Sequence, residues 1–337
     1  MMTFISFGKT RRSLLLLCLL VLVVALSACE WSDLLDGDDD SDENDNTPPA
    51  AETNIPGLSL AVSGRGFDAT RTALRDAIAD RANLSVRTEV DHQANANQAN
   101  LSLRPTTVLF IRDSNRERAL LTADARVALD LPLRVLVYRD SDDDTGVAFT
   151  NAAYLDARYD LDDVENATLD GVDDDLEAVV SAAANADLDI RASAAGIAEG
   201  EGIRTVASDD DFNTVVNRLA NAIDSRDALT RVDTIDFQDT GTGIGPSRLF
   251  IFGNPRVGTP LMRSNQTVGI DLPQKMLVVQ ASDGAVRIYY NDPGFIADRH
   301  DIDDRDDEVD TIAELLADIA DEAAGSSVRV SEDSTPD

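Results

Sequence analysis

Lysine and cysteine are almost missing from this chain. Only Lys9 and Lys275 are lysines among its 29 basic residues, against 63 acidic ones, for a formal net charge of -34. A surface of that sign argues against holding nucleic acid or anionic lipid by electrostatics and fits a strongly solvated protein. The two cysteines, Cys18 and Cys29, form no paired-thiol motif, and there is no HExxH helix, Walker loop or nucleophile motif. The common metalloprotease, nucleotide-hydrolysing and thiol chemistries therefore lack their signatures. What is present is enough apolar material, 43% of 337 residues, for two globular units with tails.

At the N-terminus Lys9, Arg11 and Arg12 precede an apolar run from Leu14 to Leu26. That run is too short to span a bilayer comfortably and has the length of a signal-peptide core. Leu26-Ser27-Ala28-Cys29 follows, and resembles the lipobox of bacterial lipoproteins, whose cysteine sulfur takes a diacylglyceryl group and becomes the new N-terminus. The resemblance implies a signal segment 1–28, a membrane anchor through lipid on Cys29, and no free thiol afterwards. Glu30, rather than an aspartate that resembles an inner-membrane retention signal, points to the outer membrane, facing the periplasm. Residues 29–56 are acidic with no basic residue and read as a disordered tether. Neither this run nor Asp140 to Gly146 has the spacing of a calcium loop.

Beyond the tether the chain repeats itself. Sliding Pro105 onto Pro246 brings Leu120 onto Leu261, Asp130-Leu131-Pro132 onto Asp271-Leu272-Pro273, and Arg158 onto Arg299, an offset of 141. Upstream the offset is 145, with Phe67, Leu74, Ala77, Ile78 and Arg81 falling on Phe212, Leu219, Ala222, Ile223 and Arg226. A period this long marks a duplicated domain, because solenoid repeats run to about 20–50 residues. Each copy reads strand, helix, four strands, helix, with Asp68 and Asn213 as helix caps. The glycine-rich stretch from Gly241 to Gly245 leads through Pro246 into a strand, so it lacks the helix N-terminus that would hold phosphate. The expected fold class is α+β: repeats 57–186 and 202–325, each with a mainly antiparallel sheet, packed as an internal pseudo-dimer. An Ala-, Gly- and Asp-rich linker (187–201) joins them, and a disordered tail (326–337) follows.

The runs IFGNPRVGTPLM, GIDLPQKMLV and YYNDPGFIADRH, with VDHQANANQANLSLRPTTVLF in the first copy, resemble domain-of-unknown-function family 302. The resemblance covers nearly everything from Leu58 to Gly325. It implies the same order of elements and no established activity, so neither a catalytic residue nor a cofactor comes with it. It also exposes complementary decay. Asp91-His92 faces Asp236-Phe237, whereas the FGNP and GTPLM runs of the second copy face Ile111 to Ser114 and Glu117 to Leu121.

Each copy has lost what the other keeps, which suggests one composite site. Asp91 and His92 would come from the first repeat, with Asn254, Thr259, Asp292 and His300 from the second. A plainer reading gives His92 a loop hydrogen bond, His300 ion pairs with Asp298, Asp301, Asp303 and Asp304, and Asn254-Pro255 and Asp292-Pro293 turn roles. Three functions follow from these alternatives. A binding or sensing module would hold a small ligand or a divalent metal at the composite site. An envelope scaffold would bind a protein partner and no small ligand. An enzyme would use His92 as a general base beside Asp91, and no nucleophile motif supports it.

Overall fold

The runs TTVLFI, LRVLVY, SRLFIF and QKMLVV are nearly continuous in apolar residues, which suits strands covered on both faces. In the computed structural model, which describes residues 49–50, 53–113, 115–237, 245–281 and 283–325, they are the central strands of two antiparallel sheets. The first repeat comprises β1 (Leu58–Ser63), α1 (Phe67–Ala79), β2 (Leu84–Asp91), α2 (His92–Gln98), β3 (Thr106–Asp113), α3 (Glu117–Ala123), β4 (Leu133–Arg139), β5 (Thr145–Thr150), α4 (Ala152–Arg158) and α5 (Asn166–Ala184). A short β6 (Ile190–Arg191) leads to the second repeat: β7 (Ile203–Ser208), α6 (Phe212–Asp224), β8 (Thr230–Asp236), β9 (Ser247–Gly253), α7 (Pro255–Ser264), β10 (Gln274–Gln280), β11 (Val286–Asn291), α8 (Pro293–Arg299) and α9 (Asp306–Ala324). The strand orders are β2-β3-β4-β5-β1-β6 and β7-β11-β10-β9-β8. Apart from β6 the two sheets have one topology.

Side-chain alternation sends each strand's apolar residues to two different cores. On β9 and β10, Phe250, Phe252, Met276 and Val278 pack with α6 and α9, whereas Leu249, Ile251, Leu277 and Val279 join the core of the first repeat. The repeats also exchange 3₁₀ turns. Gln266–Ile270 rests on β3, β4 and β5, and Ala125–Leu129 rests on β9, β10 and β11. Gly269 lets the backbone approach closely, since a Cβ there would stand 3.2 Å from both Leu136 Cδ1 and Thr106 Cγ2. Gly57 and Gly202, with φ of +68° and +62°, turn the chain into β1 and β7 against the rings of Tyr154 and Phe295.

Between the sheets lies a cluster of fully buried charges. Asp130 accepts from Arg134, from Arg158 Nη1 at 3.0 Å and from the Tyr159 hydroxyl at 2.6 Å. Asp271 accepts from Arg134 Nη1 at 3.1 Å, Arg299 Nη1 at 2.7 Å and His300 Nε2 at 2.8 Å, while Lys275 Nζ donates to the Asp271 carbonyl at 3.0 Å. The arginines cross over: Arg158 lies 4.7 Å from the ring of Phe295 in the second repeat, and Arg299 lies 4.0 Å from the ring of Tyr154 in the first. Burial alone would raise the Asp271 carboxyl, but Arg299, His300 and Arg134 hold it well below the usual range. Burial, with Arg134 beside it, pushes the Lys275 ammonium down to about 7.

Several expectations need correcting. The linker is not a loose connection, because Ile190 and Arg191 pair with β1 as an edge strand. The end of the supposed tether is docked: Ala50, Thr53 and Ile55 are buried, and the Ala50 amide donates to Asp140 Oδ2 at 2.7 Å. The first long helices start earlier than Asp68 and Asn213, with Gly66 and Asp211 at their N-caps. Pro255 opens a helix rather than ending a turn, its missing N–H being harmless in a first turn. Residues 1–48, including Cys29, and the tail 326–337 lie outside the described residues, as do residues 238–244 of the stretch before Pro246.

Asp271→Asn leaves Arg134 and Arg299 buried without a full counter-charge, a loss expected to cost about 3–5 kcal/mol. Urea unfolding of the variant beside the parent checks this, and a change within 1 kcal/mol of zero, about the worth of an exposed pair, contradicts it.

Candidate functional site

The site begins where β2 meets α2. Asp91 Oδ1 accepts the Ala94 amide at 2.8 Å, which caps α2 and makes His92 its first residue. Helix α2 packs against α7, so His92 faces the second repeat. Its buried ring donates from Nε2 to the Gly269 carbonyl across the junction, at 3.1 Å. Burial pushes this imidazole down to about 4 against the pull of the Gly269 carbonyl and Asp91, so the ring is neutral at neutral pH. With Nε2 carrying the proton, Nδ1 is left as an acceptor, and it makes no hydrogen bond to a described residue.

A cavity of about 440 Å³ opens beside this ring. The first repeat contributes Asp91, His92 and the amides of Asn95 and Gln98; the second contributes Asn254 and Thr259 of α7 with an apolar wall that includes Phe252, Val257, Met262 and Leu272. Asn254 Oδ1 caps α7 by accepting the Arg256 amide at 2.9 Å. Thr259 is fully buried, and its Oγ1 has no hydrogen-bond partner among the described residues. An unmatched buried hydroxyl costs about 1–3 kcal/mol, and Thr107, Thr150 and Ser247 carry the same mismatch away from the cavity. The acidic residues at the rim are already matched: Glu89 pairs with Arg75 at 2.6 Å, and Asp91 with Arg71 at 3.5 Å. The lining therefore offers amide and neutral imidazole groups over an apolar floor, with Arg256 and the paired Glu89 and Asp91 as its charged members, a surface for a polar molecule without net charge.

Four of the six expected residues, Asp91, His92, Asn254 and Thr259, thus meet at one cavity. Asp292 and His300 do not. Asp292 caps α8 through Gly294 N at 2.8 Å and pairs with Arg204, which is the turn role that an aspartate before proline often takes. His300 does not pair with the surface aspartates around it; it is fully buried, with Nε2 on Asp271 and Nδ1 2.8 Å from Thr267 Oγ1. Burial holds it below the usual imidazole range despite Asp271. Nor do Asp91 and His92 form a dyad, since the carboxylate is engaged by Ala94 N and Arg71. Among the described residues no group of three or more His, Cys, Asp or Glu side chains is close enough to hold a metal. What sequence reasoning missed were the amides Asn95, Gln98 and Gln274, which sit on helix and strand positions that no internal comparison marked.

A native imidazole at about 4 against about 6.5 unfolded means that the folded state binds fewer protons between those values, so stability falls as pH drops from about 6.5 towards 4. His92→Gln keeps a donor for Gly269 and removes that titration. Its stability relative to the parent should improve by on the order of 3 kcal/mol across this window in pH-dependent urea melts, and parallel profiles would sink the assignment.

A family model described as "Domain of unknown function DUF302" matches residues 58–183 and 204–323. A fluoride-specific ion channel, FluC 1 of Brucella suis biovar 1, is 36% identical over 104 residues, which cover 30% of this chain and 41% of that protein. FluC 2 of Brucella melitensis biotype 1 is 36% identical over 104 residues, covering 30% of this chain and 38% of that protein. The chain thus spans only about two fifths of the length of these relatives. A crystal structure of an uncharacterized conserved DUF302 protein from Bacillus stearothermophilus aligns with 36% of this chain and 98% of that one, at 20% identity and a TM-score of 0.33. The two family matches together span well over half of the sequence, and the chain belongs to the DUF302 family as a tandem pair of its domains.

Proposed function

We propose that this protein is a binding module, lipid-anchored through Cys29 at the periplasmic face of the bacterial outer membrane, which holds one small uncharged polar ligand at the junction of its repeats. The observation that carries the binding reading is the cavity built by both repeats, whose lining includes His92 and Thr259, the latter buried with its hydroxyl unpartnered among the described residues. Neutral His92 supplies an acceptor and the side-chain amides supply both donors and acceptors, so a ligand can satisfy groups that are otherwise left over. The anchor rests on the lipobox-like run before Cys29, and the partial match to proteins named as membrane channels accords with work at a membrane surface.

Thr259→Val deletes that hydroxyl at nearly constant shape. The ligand-free variant should be more stable than the parent by about 1 kcal/mol in thermal unfolding, because an unsatisfied buried group is removed. In native mass spectrometry after gentle purification, the parent should carry a reproducible small-molecule mass excess that the variant has lost. A destabilised variant, with no excess on the parent across several growth conditions, would refute the reading. For the anchor, radiolabelled palmitate should enter the parent and not Cys29→Ala; equal labelling of both would rule out this attachment.

A further inference from the structure

Two reciprocally packed repeats generate the features of their junction twice, so the cavity has a related position formed by β3, α3 and the end of β8. In register, Gly253 corresponds to Arg112, Gly258 to Glu117, His92 to Phe237 and, in the last helices, Ile312 to Val172. The room that two glycines leave on one side is taken on the other by an ion pair, with Arg112 Nε donating to the two Glu117 carboxylate oxygens at 2.6 and 2.7 Å. The Arg112 guanidinium lies 5.8 Å from the ring of fully buried Phe237, which stands where His92 stands in the open cavity. Beside Val172, Arg116 packs over Gly171, close enough that a Cβ there would lie 2.4 Å from its Nη2. Arg116 is itself fixed by Asp113 at 2.8 Å and Asp175 at 2.5 Å.

This is a complementary filling and not a collapse. Glu117 is buried and also accepts the Asp113 amide at 3.2 Å, so the charges that occupy the space are matched. We propose that the chain carries a second, latent site for the same class of uncharged ligand, related to the first by the pseudo-twofold axis and closed by Arg112, Glu117 and Phe237. One chain then binds one ligand, where two open half-sites would bind two. The stoichiometry rests on the reading of the open cavity as a ligand site; the latent cavity itself rests on geometry alone.

The test uses xenon as a probe of apolar cavity space in the full chain, held in lipid nanodiscs with methyl-labelled isoleucine and leucine. In the parent, xenon pressure should shift the methyls of Ile312 and Leu272 and leave in place those of Leu131, Leu121 and Ile111, which on the closed side stand where Leu272, Met262 and Phe252 stand in the open cavity. In Arg112→Gly/Glu117→Gly/Phe237→His both sets should shift, and the number of small molecules retained per chain in native mass spectra should rise from one to two. Phe237→Ala alone is the milder variant if the triple change does not fold, and Gly258→Leu should abolish the shift at Ile312. Closed-side methyls that move in the parent, or that stay still in a folded opening variant, overturn the proposal. A parent without any retained molecule refutes the ligand reading instead, and the xenon pattern still decides on the latent cavity.

Discussion

Two carboxylates, Asp130 and Asp271, hold this molecule to one arrangement. Each is buried where the two sheets face one another, and Arg134 bonds to both. Removing such charges from water is costly, and the attraction offsets it only when donors surround the carboxylate in good geometry. Asp130 takes its donors from its own half, but Asp271 takes one, Arg134, from the other, so the second half cannot match its aspartate in the same way alone. The 3₁₀ turns, the crossed arginines and the shared apolar cores all depend on that alignment. Apolar packing supplies attraction between the repeats, while the buried charges specify how they are set.

The cavity sits beside this cluster and depends on it indirectly. Asp271 ends the 3₁₀ turn whose Gly269 carbonyl accepts the hydrogen bond from His92 Nε2, and Leu272 and Pro273, next in the chain, form part of the wall. The same turn thus serves the charge cluster through one residue and the cavity through its neighbours. Most polar side chains at the junction are hydrogen-bonded within the protein, and the hydroxyls of Thr107, Thr150 and Thr259 are buried without a partner among the described residues.

Much of the architecture was legible because the chain is written twice. Strands such as Leu58–Ser63, Ile203–Ser208 and Val286–Asn291 have the bounds that their apolar runs suggest, and the duplicated Asp-Leu-Pro and Arg marked positions that prove central to the junction. Their role was hidden, since an offset between copies reveals persistence and not the fact that a carboxylate faces the other repeat. Asp91, His92, Asn254 and Thr259 were found by asking what each copy kept alone. The same question misled for Asp292 and His300, because a helix cap and a partner of buried Asp271 persist for structural reasons. The edge strand Ile190–Arg191 was not legible: two residues in an Ala- and Gly-rich stretch carry no periodicity, and only the exposed side of β1 gives them a place.

The duplication also changes how the junction responds to mutation over time. In a pair of identical subunits every substitution at the symmetry axis is made twice, so a residue useful on one side and harmful on the other is not available. Joining the halves in one chain lifts that restriction. His92 and Phe237 can then diverge in opposite directions, one lining a space and the other filling it, and the symmetry that built the fold no longer dictates the chemistry at its centre.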